Sequence, residues 1–343
     1  MLNIYFLIYI MSTIYFVINC HYEHGSIINK GSGASELLFY LTAESLSKHF
    51  NVIIYNRDSP VKIDNIEYRF LENNMNPNIE SINNSVVIVQ RNFGILIDLH
   101  KINPSNKYIL WSHDYLNKGG HSLGDYDSSH VNNYFSKYNI QIVCVSHFHK
   151  NNILECLPDV NVTPIYNALF PEYFIKKDDI NYNKNTIIFA SNWEKGLKKV
   201  LNIGKHYYNK NKDFKLILIK PGYCGWDPDL TEYPFIEKCG CIKNKNEYCK
   251  LLQSCLCVFS TSFPETFGCV FAEALHLGVP VIGDNSVKAG FHEIIPQEFM
   301  CNFNDPTEVI DRIENLRTNR PNVALDRKFY DESVINEWVK LLE

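Results

Sequence analysis

Nine short apolar runs, rich in β-branched residues, recur along the chain at 13–19, 51–56, 85–90, 107–112, 141–146, 185–191, 214–220, 255–261 and 280–284. Runs such as "NVIIYN", "SVVIVQ" and "CLCVFST" show no in-out alternation, so both faces of each strand are expected to be buried. Stretches of helical period lie between them, at 34–49, 147–156, 196–211, 244–254, 306–317 and 324–342. Continuous strands separated by helices indicate a parallel sheet covered on both sides. The alternation continues over most of the 343 residues, which predicts two α/β units with a ligand cleft between their sheets. The polar segment "PEYFIKKDDINYNKN" (171–185) is the seam, giving a first domain over 12–170 and a second over 184–320.

The chain is long enough for two cores, and its 45% hydrophobic and 21% charged residues are those of a globular protein. Net charge is -5 and no Lys/Arg block occurs, so no nucleic-acid partner is expected. The 11 cysteines are odd in number and several lie inside apolar runs, as Cys144, Cys255 and Cys257 do. That pattern fits free buried thiols and a reducing, cytoplasmic location. Cys239, Cys241, Cys249, Cys255 and Cys257 lack zinc-knuckle spacing, so no metal is expected there. The first 18 residues are apolar, with no Lys or Arg before Lys30, unlike a signal peptide. They read as about ten extra residues ahead of a buried first strand, and a peripheral membrane contact stays open.

The segment "FPETFGCVFAEALHLGVPVIGD" (263–284) carries two carboxylates, Glu265 and Glu273, in apolar surroundings. From Phe267, the residues Val270, Phe271, Ala274 and Leu275 form one helical stripe, and Glu273 lies off it. Glu265 precedes the helix, on the loop after "CLCVFST". Gly268 stands at the first turn, where backbone can approach a ligand without a Cβ between them. A helix start behind a buried strand offers unpaired N–H groups to a phosphate. The spacing suits a nucleotide-linked substrate, but it equally allows Glu265 as a helix cap and Glu273 as a solvated surface residue.

The segment resembles the E-x7-E signature of family-4 (group 1) retaining glycosyltransferases, with Glu265 and Glu273 as its glutamates. Further stretches resemble the same family in order: "GSGASELLFYLTAESLSKHFNVIIY" (31–55), "ILWSHDY" (109–115), "IVCVSHFHKNNI" (142–153) and "IIFASNWEKGLKKVL" (187–201). The resemblance implies a GT-B fold, two Rossmann-like domains with parallel sheets facing across a cleft, and a final segment, 321–343, packing back on the first domain. It implies retaining transfer of a sugar from a nucleotide-sugar donor to a glycan, lipid or protein acceptor, with no cofactor and no metal. Carried over by residue, Glu273 would bind ribose hydroxyls and Glu265 the donor sugar. Backbone N–H groups at Phe267, Gly268 and Cys269 would hold sugar or phosphate. Lys195 would neutralise the diphosphate, Gly31 and Gly33 would let the first loop approach it, and His113 would assist near the anomeric carbon. One departure stands out. The family's Arg before the Lys-Gly turn is missing from "FASNWEKG", where Ala190, Ser191 and Asn192 stand, leaving Lys198, Lys199 or Lys220 as substitutes. That departure keeps two other readings open, an inert sugar- or nucleotide-binding relative and a sugar-nucleotide epimerase.

Plainer roles are expected elsewhere. His147 and His149 read as surface or cap residues, and Asn167 as a residue shaping the hinge. The triplets Asp125/Asp127 and Asp227/Asp229 lie among turn formers and read as solvated loops.

Overall fold

The first half of the chain builds a sheet whose strands follow the apolar runs. In the computed structural model the described residues are 12–19, 34–71, 82–117, 123, 126–176, 180–220 and 227–343. The first sheet holds β1 (Thr13–Val17), β2 (Asn51–Asn56), β3 (Val61–Ile63), β4 (Ile66–Phe70), β5 (Val86–Gln90), β6 (Lys107–Trp111), β7 (Gln141–Cys144) and β8 (Asn161–Pro164). Its order is β3-β4-β2-β1-β5-β6-β7-β8. All neighbours are parallel except β3 and β4, an antiparallel hairpin at the edge. Helices α1 (Ala34–Leu46), α2 (Phe93–Ile102), α3 (Ser128–Lys137) and α4 (His147–Cys156) belong to this half. Tyr15 of β1 pairs with Ile53 on one side and Val87 on the other, so strand order reverses there. Such a switch point opens a crevice at the C-terminal strand ends.

The second sheet holds β9 (Asn183–Phe189), β10 (Lys215–Ile219), β11 (Ile236–Cys239), β12 (Cys255–Ser260), β13 (Val281–Asp284) and β14 (Met300–Cys301). It is wholly parallel, in the order β11-β10-β9-β12-β13-β14. Helices α5 (Leu197–Lys210), α6 (Lys245–Gln253), α7 (Cys269–His276), α8 (Pro306–Thr318) and α9 (Asp331–Leu342) follow in chain order. Central β12 is buried at all six positions, which is why its sequence lacks alternation. The elements with no apolar run in the sequence are marginal ones. β11 is a half-exposed edge strand, β14 has two residues, and α3 is mostly polar and buries only Val131, Asn132 and Phe135. The last helix begins at Asp331 rather than 324, after a 3-10 turn over Arg327–Phe329.

α9 returns to the first domain. Its buried face, Val334, Ile335, Trp338 and Leu342, joins a core with Phe39 and Trp111. The Trp338 and Trp111 rings meet edge to face, with centroids 5.0 Å apart. The chain therefore passes between the halves twice, and the two passages are pinned together. Leu169 N–H donates to Phe329 O at 2.7 Å, and Asp331 N–H donates to Leu169 O at 2.9 Å. Among the described residues no helix is long and apolar enough to cross a membrane.

Candidate active site

A cleft of about 770 Å³ separates the two sheets, with His113, Lys195, Glu265, Phe267, Gly268 and Cys269 all on its lining. The second-domain wall is built around the start of α7. Gly268 holds φ +106°, and a Cβ there would come within 2.4 Å of the Phe271 ring, so the position requires glycine. Among the described residues no side chain caps this helix, and Gly268, Cys269 and Val270 at its start line the cleft. Its first N–H groups therefore face the cleft with the positive end of the helix dipole.

Glu265 is half-buried, and its carboxylate accepts from Phe267 N–H only at 3.4 Å. Its own carbonyl takes Gly290 N–H at 2.8 Å, which pins the loop below the carboxylate. Glu273 is no solvated surface residue, since its side chain is 15% exposed. Tyr248 Oη donates to it at 2.7 Å and Lys245 Nζ lies 3.5 Å away. Burial first, then the Glu273 charge, pushes the Tyr248 phenol well above its ordinary range. Glu273 lines a smaller pocket of about 170 Å³, which shares Asn167, Lys245, Phe267 and Cys269 with the cleft.

Lys195 lies in the turn before α5, where its N–H donates to Asn192 O at 2.9 Å, and its ammonium has no hydrogen-bond or ion-pair partner among the described residues. The adjoining Gly196, at φ +103°, presses on the carbonyl of Thr261, where a Cβ would come within 2.4 Å. That contact locks the Lys-Gly turn against the loop leaving β12. Ser191 occupies the place without arginine, and its hydroxyl bonds that of Ser262. Of the three candidate substitutes, Lys199 is taken: it pairs with fully buried Asp284 at 2.7 Å. Lys198 is exposed and off the cleft lining. Lys220 does line the cleft, 3.9 Å from Asp227, whose closer partner is Lys238 at 2.8 Å. Cys241, Ile242 and Lys243 complete this end of the cleft.

The first-domain wall comes from residues just past β5 and β6. Arg91, at φ +59°, makes a bidentate pair with Asp114 at 2.7 and 2.6 Å. It also reaches Ser35 and Glu36 of α1, each at 3.1 Å. Burial works against the Asp114 charge, but the Arg91 guanidinium outweighs it and holds the carboxyl below its usual range. His113 packs on Trp111 with ring centroids 4.9 Å apart. Burial, aided by the Arg91 charge, brings its pKa down to about 3, so the ring is neutral at physiological pH. Its carbonyl accepts Thr266 Oγ1 from the opposite domain at 2.7 Å.

His149 departs from its surface reading. It is fully buried, with Nε2 2.9 Å from Asp114 O, and burial lowers its pKa to about 4. Gly31, Gly33 and Asp125 lie outside the described residues. Asp127 caps α3 by accepting His130 N–H at 2.8 Å, and Asp229 accepts Thr231 N–H at 3.0 Å. The described cysteines are free, and among the described residues no group of three or more His, Cys, Asp or Glu side chains is placed to hold a metal ion.

Arg91, Lys245, Tyr248 and Glu293 escaped the sequence reading. Arg91 had a usable signal, a charged residue at the end of an apolar run, where ligands gather in such sheets. Glu293 had none. Its carboxylate, from the second domain, accepts His147 and Phe148 N–H at the start of α4 (3.0 and 2.6 Å) and Tyr166 Oη at 2.9 Å.

Residues 172–332 match the family described as Glycosyl transferases group 1. No curated protein sequence matches the chain. Among solved structures, sucrose-phosphate synthase from Thermosynechococcus elongatus superposes with TM-score 0.71 at 12% identity, covering 96% of this chain and 98% of that one. Anabaena HepE, solved in complex with UDP and glucose, gives TM-score 0.66 at 12% identity over 96% and 99% of the two chains. The apo structure of OtsA gives 0.63 at 10% identity over 96% and 94%. At these identities the likeness establishes the fold, two parallel α/β sheets facing across a cleft. Residues 172–332 are thus similar to the group 1 glycosyl transferases, and the whole chain has the two-domain GT-B fold.

Proposed function

We propose that the protein transfers a sugar from a nucleoside-diphosphate donor to an acceptor hydroxyl with retention of anomeric configuration. The observation that carries the reading is the disposition of α7. Glu265 stands on the cleft before its uncapped start, and Glu273 stands further along it beside the adjoining pocket. A diphosphate fits the helix start, a ribose fits Glu273, and the sugar beyond the phosphates fits Glu265. HepE, a fold neighbour, has been solved with UDP-glucose, which supports the donor class.

Lys195 and Lys220 take the charge of the leaving diphosphate in place of the absent arginine. The bond from the anomeric carbon to the phosphate oxygen breaks as the bond to the acceptor oxygen forms on the same face. The acceptor proton passes to the leaving phosphate, so neither a protein nucleophile nor a metal enters the step. Neutral His113 and carboxylate Glu265 orient the sugar through hydrogen bonds to its hydroxyls.

The test is a panel of UDP- and GDP-sugars, measuring nucleotide release with and without hydroxyl acceptors and the product anomer by NMR. Acceptor-dependent release with retention is expected, and it should persist in a chelator. Nucleotide binding without turnover would favour an inert relative, the reading that Ser191 in the arginine position supports. Free nucleotide with an epimerised sugar and no acceptor would favour an epimerase.

A further inference from the structure

Two unsatisfied groups meet on the first-domain side of the cleft. Both ring nitrogens of His113 are closed from solvent without a hydrogen-bond partner among the described residues, and so is Oδ1 of Asn167. Buried polar groups rarely stay unpaired, so each demands an explanation. Both residues line the cleft, and Asn167 is only 6% exposed. The other end of the amide is committed, because Nδ2 donates to Sγ of Cys269, the first residue of α7, at 3.8 Å. The Asn167 side chain acts to raise the ring's hold on a proton, as an acceptor of its N–H does, though no closed bond joins the two here.

The other groups facing His113 are Arg91, Asp114 and His149 from its own domain, with Glu265 and Lys195 on the opposite wall. Among these described neighbours, neither Asp114 nor His149 has a side-chain group left over to accept from the ring. Asp114 commits both oxygens to Arg91, and His149 Nε2 is taken by Asp114 O. A neutral imidazole carries one N–H and one lone pair, and whatever accepts the N–H decides which nitrogen is left bare.

We infer that Asn167 is a positioning residue for His113: its Oδ1 accepts the ring N–H and leaves the second nitrogen bare to accept a hydroxyl of the bound sugar. The inference rests on the proposed transfer reaction for the sugar, but not for the pairing itself. Because Asn167 is tied to Cys269, the tautomer is set from the helix that receives the donor. His113 thus presents an acceptor only when α7 is in place.

The experiment uses the full chain labelled with ¹⁵N-histidine and saturated with UDP, with the His113 signals assigned by loss in His113→Gln. One neutral tautomer is expected in the wild type. Asn167→Ala should mix the tautomers and lower kcat about tenfold, the low end of losing a histidine's orienting partner, with donor KM nearly unchanged. Asn167→Asp keeps an acceptor oxygen, so it should hold one tautomer, recover most of kcat, and shift His113 protonation to higher pH. Thermal unfolding of each variant separates loss of fold from loss of position. An unchanged tautomer and kcat in Asn167→Ala would overturn the inference. So would a rise in donor KM alone, which would make Asn167 a direct donor contact. If no transfer activity exists, the proposed function falls, while the tautomer measurement still decides the role of Asn167.

Discussion

The two walls of the cleft handle charge in opposite ways. On the first-domain wall Arg91 is enclosed by Asp114, Glu36 and Ser35, and the nearby histidine is neutral. On the second-domain wall, among the described residues, the Lys195 ammonium has no partner, Lys220 is held loosely, and α7 opens without a side-chain cap. A paired cation attracts little, whereas an unpaired cation in a narrow cleft has its full field available. The proposed transfer reaction would use that difference as a division of labour, the second wall drawing in the anionic donor and the first orienting neutral groups against it.

Changes on the second wall should cost most. Glu265→Ala is expected to lower kcat on the order of 100-fold, as removal of a fixed electrostatic contact does, with smaller change in nucleotide affinity. Steady-state kinetics with the responding donor checks it, and full retained activity would remove Glu265 from the site. Glu273→Ala should instead weaken nucleotide binding about 10- to 100-fold, the loss of a charge-assisted hydrogen bond or two, read by calorimetry. Next comes Lys195→Ala, with about tenfold weaker binding of the nucleoside diphosphate and a shallower dependence on salt. If Arg91→Ala weakened it equally, the contrast between the walls would fail.

The smaller effects belong to the first wall. The pKa values of His149 and His113 fall from 6.5 to about 4 and about 3, so the fold favours their neutral forms. Their contribution to stability is complete above pH 6.5 and is lost as pH falls toward 4 and then 3. The unfolding midpoint should therefore decline over that window, and less steeply in His149→Gln. Smallest of all, an Arg91–Asp114 double-mutant cycle should give a coupling of about 1 kcal/mol or less. The two side chains are 40% and 41% exposed, and water screens the pair despite its geometry.

What could be read in advance follows from the physics of burial. β12 and its neighbours announced themselves because strands covered on both faces must be apolar throughout. The E-x7-E segment stood out because carboxylates are rare in such surroundings, and Gly268 because it stands at a helix start; the structure adds that only glycine tolerates its φ beside Phe271. The edge hairpin β3–β4 and the polar α3 gave no such pattern, since little of either is buried. His149 was misjudged because a polar side chain can be buried wherever a carbonyl such as that of Asp114 awaits it, and that carbonyl lies 35 residues away in sequence. The Arg91–Asp114 pair and the Glu293 contacts were hidden for the same reason. Each joins segments distant in the chain, and no local period records such a meeting.

The paired passages between the halves have a mechanical consequence. One covalent link would act as a swivel, leaving the domains free to twist as well as to part. Here two links run side by side, and the bonds from Leu169 to Phe329 and Asp331 clamp them together, as two knuckles share one pin. Twist about either link alone would break both bonds, a restraint that a single strand would not impose.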